Sequence, residues 1–338
     1  MEAAMTLWKE FKGWGLYEGI RPDSAAKLLH TLFNACDKHP KFWGTAVEVF
    51  ELMENYEDDY DRDEDKMAFW GRGYGPDGDR EAAEAEPVVP TAGEYRSMLH
   101  ILSSSKDSER GANWQRSLEV LREAQELEYP ITEACFRTVI TDLGFAGQVD
   151  LAFSIHDEMR MAGIPPSVNT YNRLLAVCEK SKDWDRAFKI LDEMKEVGLK
   201  PDVISFGTAI SACGKGLEWR RALALLVRMQ HEGVMPNLQC FNAVIHGLGL
   251  AREWKRAEAI MEVIRKTGLE PDGYTYNSMA MAYASAGESD RALDVLETME
   301  SNGVQPDAVT YGTLMKACDG EGAFSIMRSL MDEMEQRG

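Results

Sequence analysis

"VGLKPDVISFGTAISACGKGLEWRRALALLVRMQHEGVMPNL", residues 197–238, states one pattern nearly twice: Gly198 and Pro201 at its start return as Gly233 and Pro236 near its end. The 35-residue step continues in both directions. Pro166, Pro201, Pro236, Pro271 and Pro306 keep it, as do Gly163, Gly198, Gly233, Gly268 and Gly303, and Ala152, Ala187, Ala222, Ala257 and Ala292. An aromatic recurs at Phe136, Tyr171, Phe206, Phe241, Tyr276 and Tyr311, and tryptophan at Trp184, Trp219 and Trp254. Self-similarity at a fixed period of this size is the signature of a stacked repeat architecture.

Within one unit the apolar spacing is helical twice. Tyr171, Leu174, Leu175 and Cys178 follow i, i+3, i+4, i+7, and Ala187, Ile190, Leu191 and Met194 do so again. Each unit is therefore predicted to be a helical hairpin, with the loop 179–183 between its helices and a tryptophan just before the second. Gly198 suits a left-handed cap ending the second helix, and Pro201-Asp202 closes the unit and opens the next. One hairpin cannot bury its apolar faces alone, so neighbours must stack. The fold class predicted is all-α.

The register places repeats at 133–167, 168–202, 203–237, 238–272 and 273–307, with a last one from 308 that stops at Gly338 before its own proline. A degenerate unit begins near Ala92 and carries an insertion around 105–111 before Trp114 restores the pattern. Another spans 24–56, after an N-terminal extension of 1–23. Between them, 57–91 is acidic and Gly-rich and reads as an exposed loop or linker, because it cannot bury enough apolar surface to offset ordering entropy.

The chain has 338 residues, 44% hydrophobic and 28% charged, with a formal net charge of −20. That balance weighs against nucleic acid, but 51–86 alone holds 14 Asp and Glu against 4 Lys and Arg, which is −10 and half of the total. No apolar run reaches the roughly 18 residues needed to span a bilayer, so no membrane insertion is expected. The opening "MEAAMTLWKE" has neither the basic-then-apolar order of a secretory signal nor the Arg- and Ser-rich makeup of an organellar leader. The six cysteines form no CxxC pair and no metal-ligand spacing with His, so buried reduced thiols are expected and neither metal nor cofactor is.

The junctions "KPDVISF", "EPDGYTYN" and "QPDAVTYG" resemble those of the pentatricopeptide repeat proteins, whose 35-residue hairpins end in Gly-x-x-Pro-Asp and begin Val-x-Thr-Tyr-Asn. The resemblance covers about 92–338 well and 24–54 weakly, and uniform 35-residue units match the plain class. It implies a right-handed superhelical solenoid whose first helices line a concave face. It also implies sequence-selective binding of single-stranded RNA in a mitochondrion or chloroplast, one base per repeat, in RNA processing, stability or translation.

In that family the fifth and last residues of a repeat read the base and the second sandwiches it. Carried onto this chain, the readers are Asn172 with Asp202, Asn242 with Asp272 and Asn277 with Asp307; Asn with Asp is the family's uridine-preferring pair, and Thr with Asp its guanine pair. Sandwiching falls to Ile204, Tyr274 and Val309, with Asn169 and Gln239 at the same position elsewhere. The pattern is gapped, because Gly207 and Gly312 have no side chain to read with and Arg137 with Ser167 lies outside the usual combinations. Lys180 and Lys215, at equivalent places near the ends of first helices, are the phosphate candidates.

An enzyme is not expected: there is no His-x-Glu with a later CxxC, "EDDYDRDED" lacks the Gly and terminal Glu of a calcium loop, and "GRGYGPDG" lacks the Gly-Lys-Ser/Thr of a phosphate loop. The alternative class is a scaffold subunit of a large organellar complex, using the solenoid for protein contacts.

Overall fold

The computed structural model describes residues 90–103 and 113–317 continuously, with positions 30, 33, 46, 49, 50, 327, 328, 330–332, 334 and 335 besides. The expected N-terminal extension, the acidic loop up to residue 89, the insertion at 105–111, Cys36 and Cys318 all lie outside the described residues. The described elements are all helical: α1 Ala92–Ser103, α2 Trp114–Glu126, α3 Glu133–Phe145, α4 Val149–Met161, α5 Val168–Ser181, α6 Trp184–Glu196, α7 Val203–Lys215, α8 Trp219–His231, α9 Leu238–Leu250, α10 Trp254–Lys266, α11 Gly273–Ala286, α12 Ser289–Ser301 and α13 Ala308–Ala317. From α3 on, consecutive pairs coincide with the 35-residue units. No strand occurs among the described residues. Trp184, Trp219 and Trp254 correct the expected boundary, since each is the first residue of its helix rather than the residue before it.

The chain divides into two compact units. The first holds α1 to α3 and the end of α4; the second holds the start of α4 and everything from Pro165 on. In the first, α1 packs on α2 and α3, and the buried Ser117 hydroxyl donates to Asp142 at 2.8 Å. Within 24–56, the stretch expected to be a degenerate unit, Phe33, Ala46, Val49 and Phe50 are helical and fully buried. Phe33, Phe50, Tyr95 and Tyr129 form an aromatic chain with successive ring centroids 5.5, 4.9 and 5.5 Å apart.

In the second unit the first helices α5, α7, α9, α11 and α13 lie side by side, and each second helix wedges against the first helix of its own repeat and of the next. The periodic residues explain the stacking. Tyr171, Phe206, Phe241, Tyr276 and Tyr311 are buried to 2% exposure or less, and Ala187, Ala222, Ala257 and Ala292 have none. A small residue at that place lets the second helix approach its neighbours closely. Gly214 and Gly247 do the same between α7 and α9, where a Cβ on Gly247 would stand 2.6 Å from the Gly214 Cα.

Helix ends follow from local chemistry. Asp202, Asp272 and Asp307 accept from the backbone N–H of Ser205, Thr275 and Thr310, each at 2.8 Å, and those hydroxyls accept in return from the Asp N–H at 3.2, 3.2 and 3.1 Å. Each such cap is worth about 1 kcal/mol. Gly198, at φ +79°, takes the left-handed step that ends α6. The turn between the two helices of a hairpin needs that conformation too: Gly147, Lys182, Leu217, Arg252 and Gly287, 35 apart, all have φ between +60° and +80°.

Second helices are tied across repeats by cations. The guanidinium groups of Arg221, Arg256 and Arg291 lie 4.0, 4.5 and 4.5 Å from the ring centres of Trp184, Trp219 and Trp254 in the preceding repeat. Arg228 donates to Asp192 at 2.7 Å, and Arg291 to Glu258 at 2.9 Å. Cys135, Cys178, Cys213 and Cys240 are buried free thiols, and burial pushes Cys178 and Cys213 up to about 12. No described helix is long and apolar enough to cross a membrane.

Candidate nucleic-acid interface

The second and fifth residues of a first helix fall on one side of it, so the helix row of the second unit presents them together. Ile204, Tyr274 and Val309, at second positions, are 64%, 56% and 62% exposed, which for large apolar side chains sets them on the solvent face rather than in the core. Asn169 and Gln239 are exposed at the same place.

The three Asn–Asp pairs, 30 residues apart in sequence, are joined in space. Asn172 Nδ2 donates to the Asp202 carboxylate at 3.3 and 3.4 Å, Asn242 Nδ2 to Asp272 Oδ1 at 3.2 Å and Asn277 Nδ2 to Asp307 Oδ1 at 3.2 Å. A third residue, missed in the sequence, completes each pair. Ser205, Thr275 and Thr310 donate their hydroxyls to the Oδ1 of Asn172, Asn242 and Asn277 at 2.6, 2.7 and 2.6 Å. The signal was present as the Asp-x-x-Ser/Thr spacing of a helix cap.

One hydroxyl and one carboxylate thus fix each amide in a single orientation. That leaves it one N–H and one oxygen lone pair to offer a ligand. Asn172 and Asn277 are half-buried, and Asn242 lies deeper, 4% exposed. Burial opposes ionisation of Asp272, but bonds from the Thr275 hydroxyl and N–H and from Asn242 hold its carboxyl below the usual value. The Thr310 N–H is the main cause holding Asp307 down, joined by the Thr310 hydroxyl and Asn277 against burial.

The gapped positions are open. A Cβ on Gly207 would meet only Cys240 Sγ, at 3.5 Å, and one on Gly312 would meet nothing within 4 Å. A groove of about 500 Å³ lies at Gly207, between α7 and α9, with Ile204 and Tyr274 at its rim and Ser211, Lys215, Glu179 and His246 along it. The rings of His246 and Tyr274 stack with centroids 6.5 Å apart. Burial, and then the Lys215 charge, push the His246 imidazole below its ordinary value. Of the two lysines, Lys180 is exposed at the end of α5, whereas Lys215 Nζ is held at 2.7 Å by Glu179, which also accepts from Ser211 at 2.7 Å. Arg137 pairs with Glu133 at 3.7 Å.

The family model described as "Pentatricopeptide repeat domain" matches residues 154–216 and 259–321, and the "PPR repeat" model matches 134–164 and 204–234. No curated protein matches the sequence. Among solved structures, the pentatricopeptide repeat protein PPR10 from maize is 21% identical, covers 96% of this chain and 49% of its own, and has a TM-score of 0.56. The chain thus spans about half the length of that protein. The pentatricopeptide domain of Arabidopsis thaliana protein-only RNase P 1, solved in complex with tRNA, is 18% identical over 55% of this chain and 97% of its own, with a TM-score of 0.46. With matched repeats on the 35-residue register and hairpins stacked in that same register, the chain belongs to the pentatricopeptide repeat proteins.

Proposed function

We propose that the chain binds single-stranded RNA along the first-helix face of its second unit, one base per repeat, with uracil favoured where Asn172, Asn242 and Asn277 stand over Asp202, Asp272 and Asp307. The observation that supports this most is the repeated triad: three amides, each clamped by a hydroxyl and a carboxylate, in the same orientation on successive or near-successive first helices. A clamped amide offering one N–H and one lone pair complements the O4 acceptor and N3–H donor of uracil, and single-stranded bases are read on that edge. Ile204, Tyr274 and Val309 supply exposed surface against which bases stack, and Lys180 neutralises phosphate. An organellar setting and a part in RNA processing, stability or translation rest on the family resemblance.

Fluorescence anisotropy of the purified chain against U-rich and A-rich single strands at physiological salt tests the reading. Tighter binding of the U-rich strand, by about tenfold per matched step, is expected. Equal, weak binding of both would favour the scaffold alternative, in which the same face meets protein.

A further inference from the structure

The reading above leaves the repeat at 203–237 blank, because Gly207 carries no side chain. The structure does not leave its groove blank. Without a side chain at 207 the groove stays open past the fifth position toward Ser211, one turn further along α7, and the Glu179–Lys215 ion pair lines it. The groove's 500 Å³ falls within the roughly 300–1,000 Å³ of small-ligand sites. Its charged groups are specific in kind. Ser211 and Lys215 both bond Glu179 Oε1, so the second carboxylate oxygen remains available to accept, and Lys215 keeps further N–H donors.

An acceptor-only carboxylate beside a donor-only ammonium discriminates between bases. Guanine presents O6 as an acceptor next to N1–H and N2–H as donors, so the ammonium meets O6 while the carboxylate takes the two N–H groups. Uracil sets an acceptor on either side of its single N3–H, cytosine sets the N3 lone pair and O2 against the carboxylate, and adenine offers no acceptor in place of O6. The groove therefore matches one base.

We infer that this repeat reads guanine through Lys215 at the end of its own first helix and Glu179 near the end of the preceding one, in place of the missing fifth-position reader. The inference rests on RNA lying along this face, and it gives Lys215 a base rather than a phosphate as its ligand. Gly207 is then a specificity element by absence, since a larger residue there would occupy the groove that the base must enter.

The test uses the full chain and four RNAs with uracil at the flanking steps and G, A, C or U facing this repeat. Wild type should favour G by about tenfold, the discrimination expected of one bidentate base contact. Glu179→Gln should reduce that preference to under about threefold and leave the uracil preference of the flanking steps unchanged, with circular dichroism confirming the fold. Gly207→Asn, which leaves Glu179 in place, should lose the G preference as well. Inosine, lacking the N2 amine, should bind between G and A.

Retained uracil preference at the flanking steps with no discrimination at this one overturns the guanine reading alone. No selective RNA binding anywhere overturns it together with the proposed function. Guanosine monophosphate titrated by itself should bind at least about a hundredfold more weakly than the RNA, lacking the neighbouring contacts. Equal affinity would assign the groove to a free nucleotide and also overturn the inference.

Discussion

Thr310 donates its hydroxyl to Asn277 at 2.6 Å, although 33 residues separate them and they belong to different repeats. The third residue of one repeat thus orients the fifth residue of the repeat before it. The same hydroxyl accepts from the Asp307 N–H at 3.1 Å, so helix capping and amide orientation are one network.

If Asn277 reads a base, replacing it with the shorter, differently branched Thr while keeping Asp307 should move preference at that step from U toward G, the base the family resemblance assigns to Thr with Asp. Titration of wild type and Asn277→Thr against two oligonucleotides differing at that base checks it. An unchanged preference ends base reading in that repeat.

Thr275→Val keeps the shape and removes the hydroxyl, leaving the Oδ1 of the buried Asn242 without its donor at 2.7 Å. A buried polar group deprived of its partner costs about 1–3 kcal/mol. Chemical denaturation should show that loss, and Ser at the same position should recover most of it.

Gly247→Ala should destabilise despite the higher helix propensity of alanine, worth about 1 kcal/mol. Its Cβ would stand 2.6 Å from a backbone atom of α7, which cannot rotate away. Overpacking of this kind costs about 1–3 kcal/mol. A measured stability above that of wild type would show that the α7–α9 spacing is looser than described.

Leu217 occupies the left-handed turn position at φ +64° with its side chain 59% exposed, so it suffers the conformation without the compensation of burial. Leu217→Gly should stabilise by about 0.5–1 kcal/mol, the relieved strain exceeding the entropy lost by glycine. A differential denaturation midpoint is sufficient to measure it.

Asp307 is held below its ordinary value in the folded chain, chiefly by the Thr310 N–H. Its contribution to stability is therefore complete above the unfolded carboxyl value of about 3.9 and is lost as pH falls through the lower folded value. Between pH 5 and pH 3 the wild-type denaturation midpoint should fall more steeply than that of Asp307→Asn, whose amide still caps the helix but does not titrate. Parallel slopes would remove Asp307 from the acid response.

The repeat register was legible because few residue types suit its fixed places: Ala222 and Phe206 recur since larger or smaller residues would not fit the packing there, and Gly233 since its φ of +78° is a conformation that side chains disfavour. The Asn–Asp pairing was legible by resemblance, and its geometry agrees with that register. The left-handed turns at Lys182, Leu217 and Arg252 were not, because a residue tolerating strain carries no mark of it. Nor was the Glu179–Lys215 pair, whose 36-residue separation misses the period by one and so hides among ordinary surface charges. The Trp–Arg stacking was half visible: the tryptophans kept their interval, but nothing in the sequence indicated that each carries the arginine of the next unit.

The sharing of Asp202, Asp272 and Asp307 between a helix cap and the amide of the previous repeat bears on how such chains can be recombined. A cassette cut at the Pro-Asp junction would transplant an asparagine without the hydroxyl that orients it, and a cap without the amide it evolved beside. Joining fragments instead within a first helix, between Thr275 and Asn277 for example, would move each asparagine, aspartate and hydroxyl as one inherited piece. Chimeras with crossovers there should refold with parental cooperativity, whereas those spliced at the proline should inherit a mismatched seam.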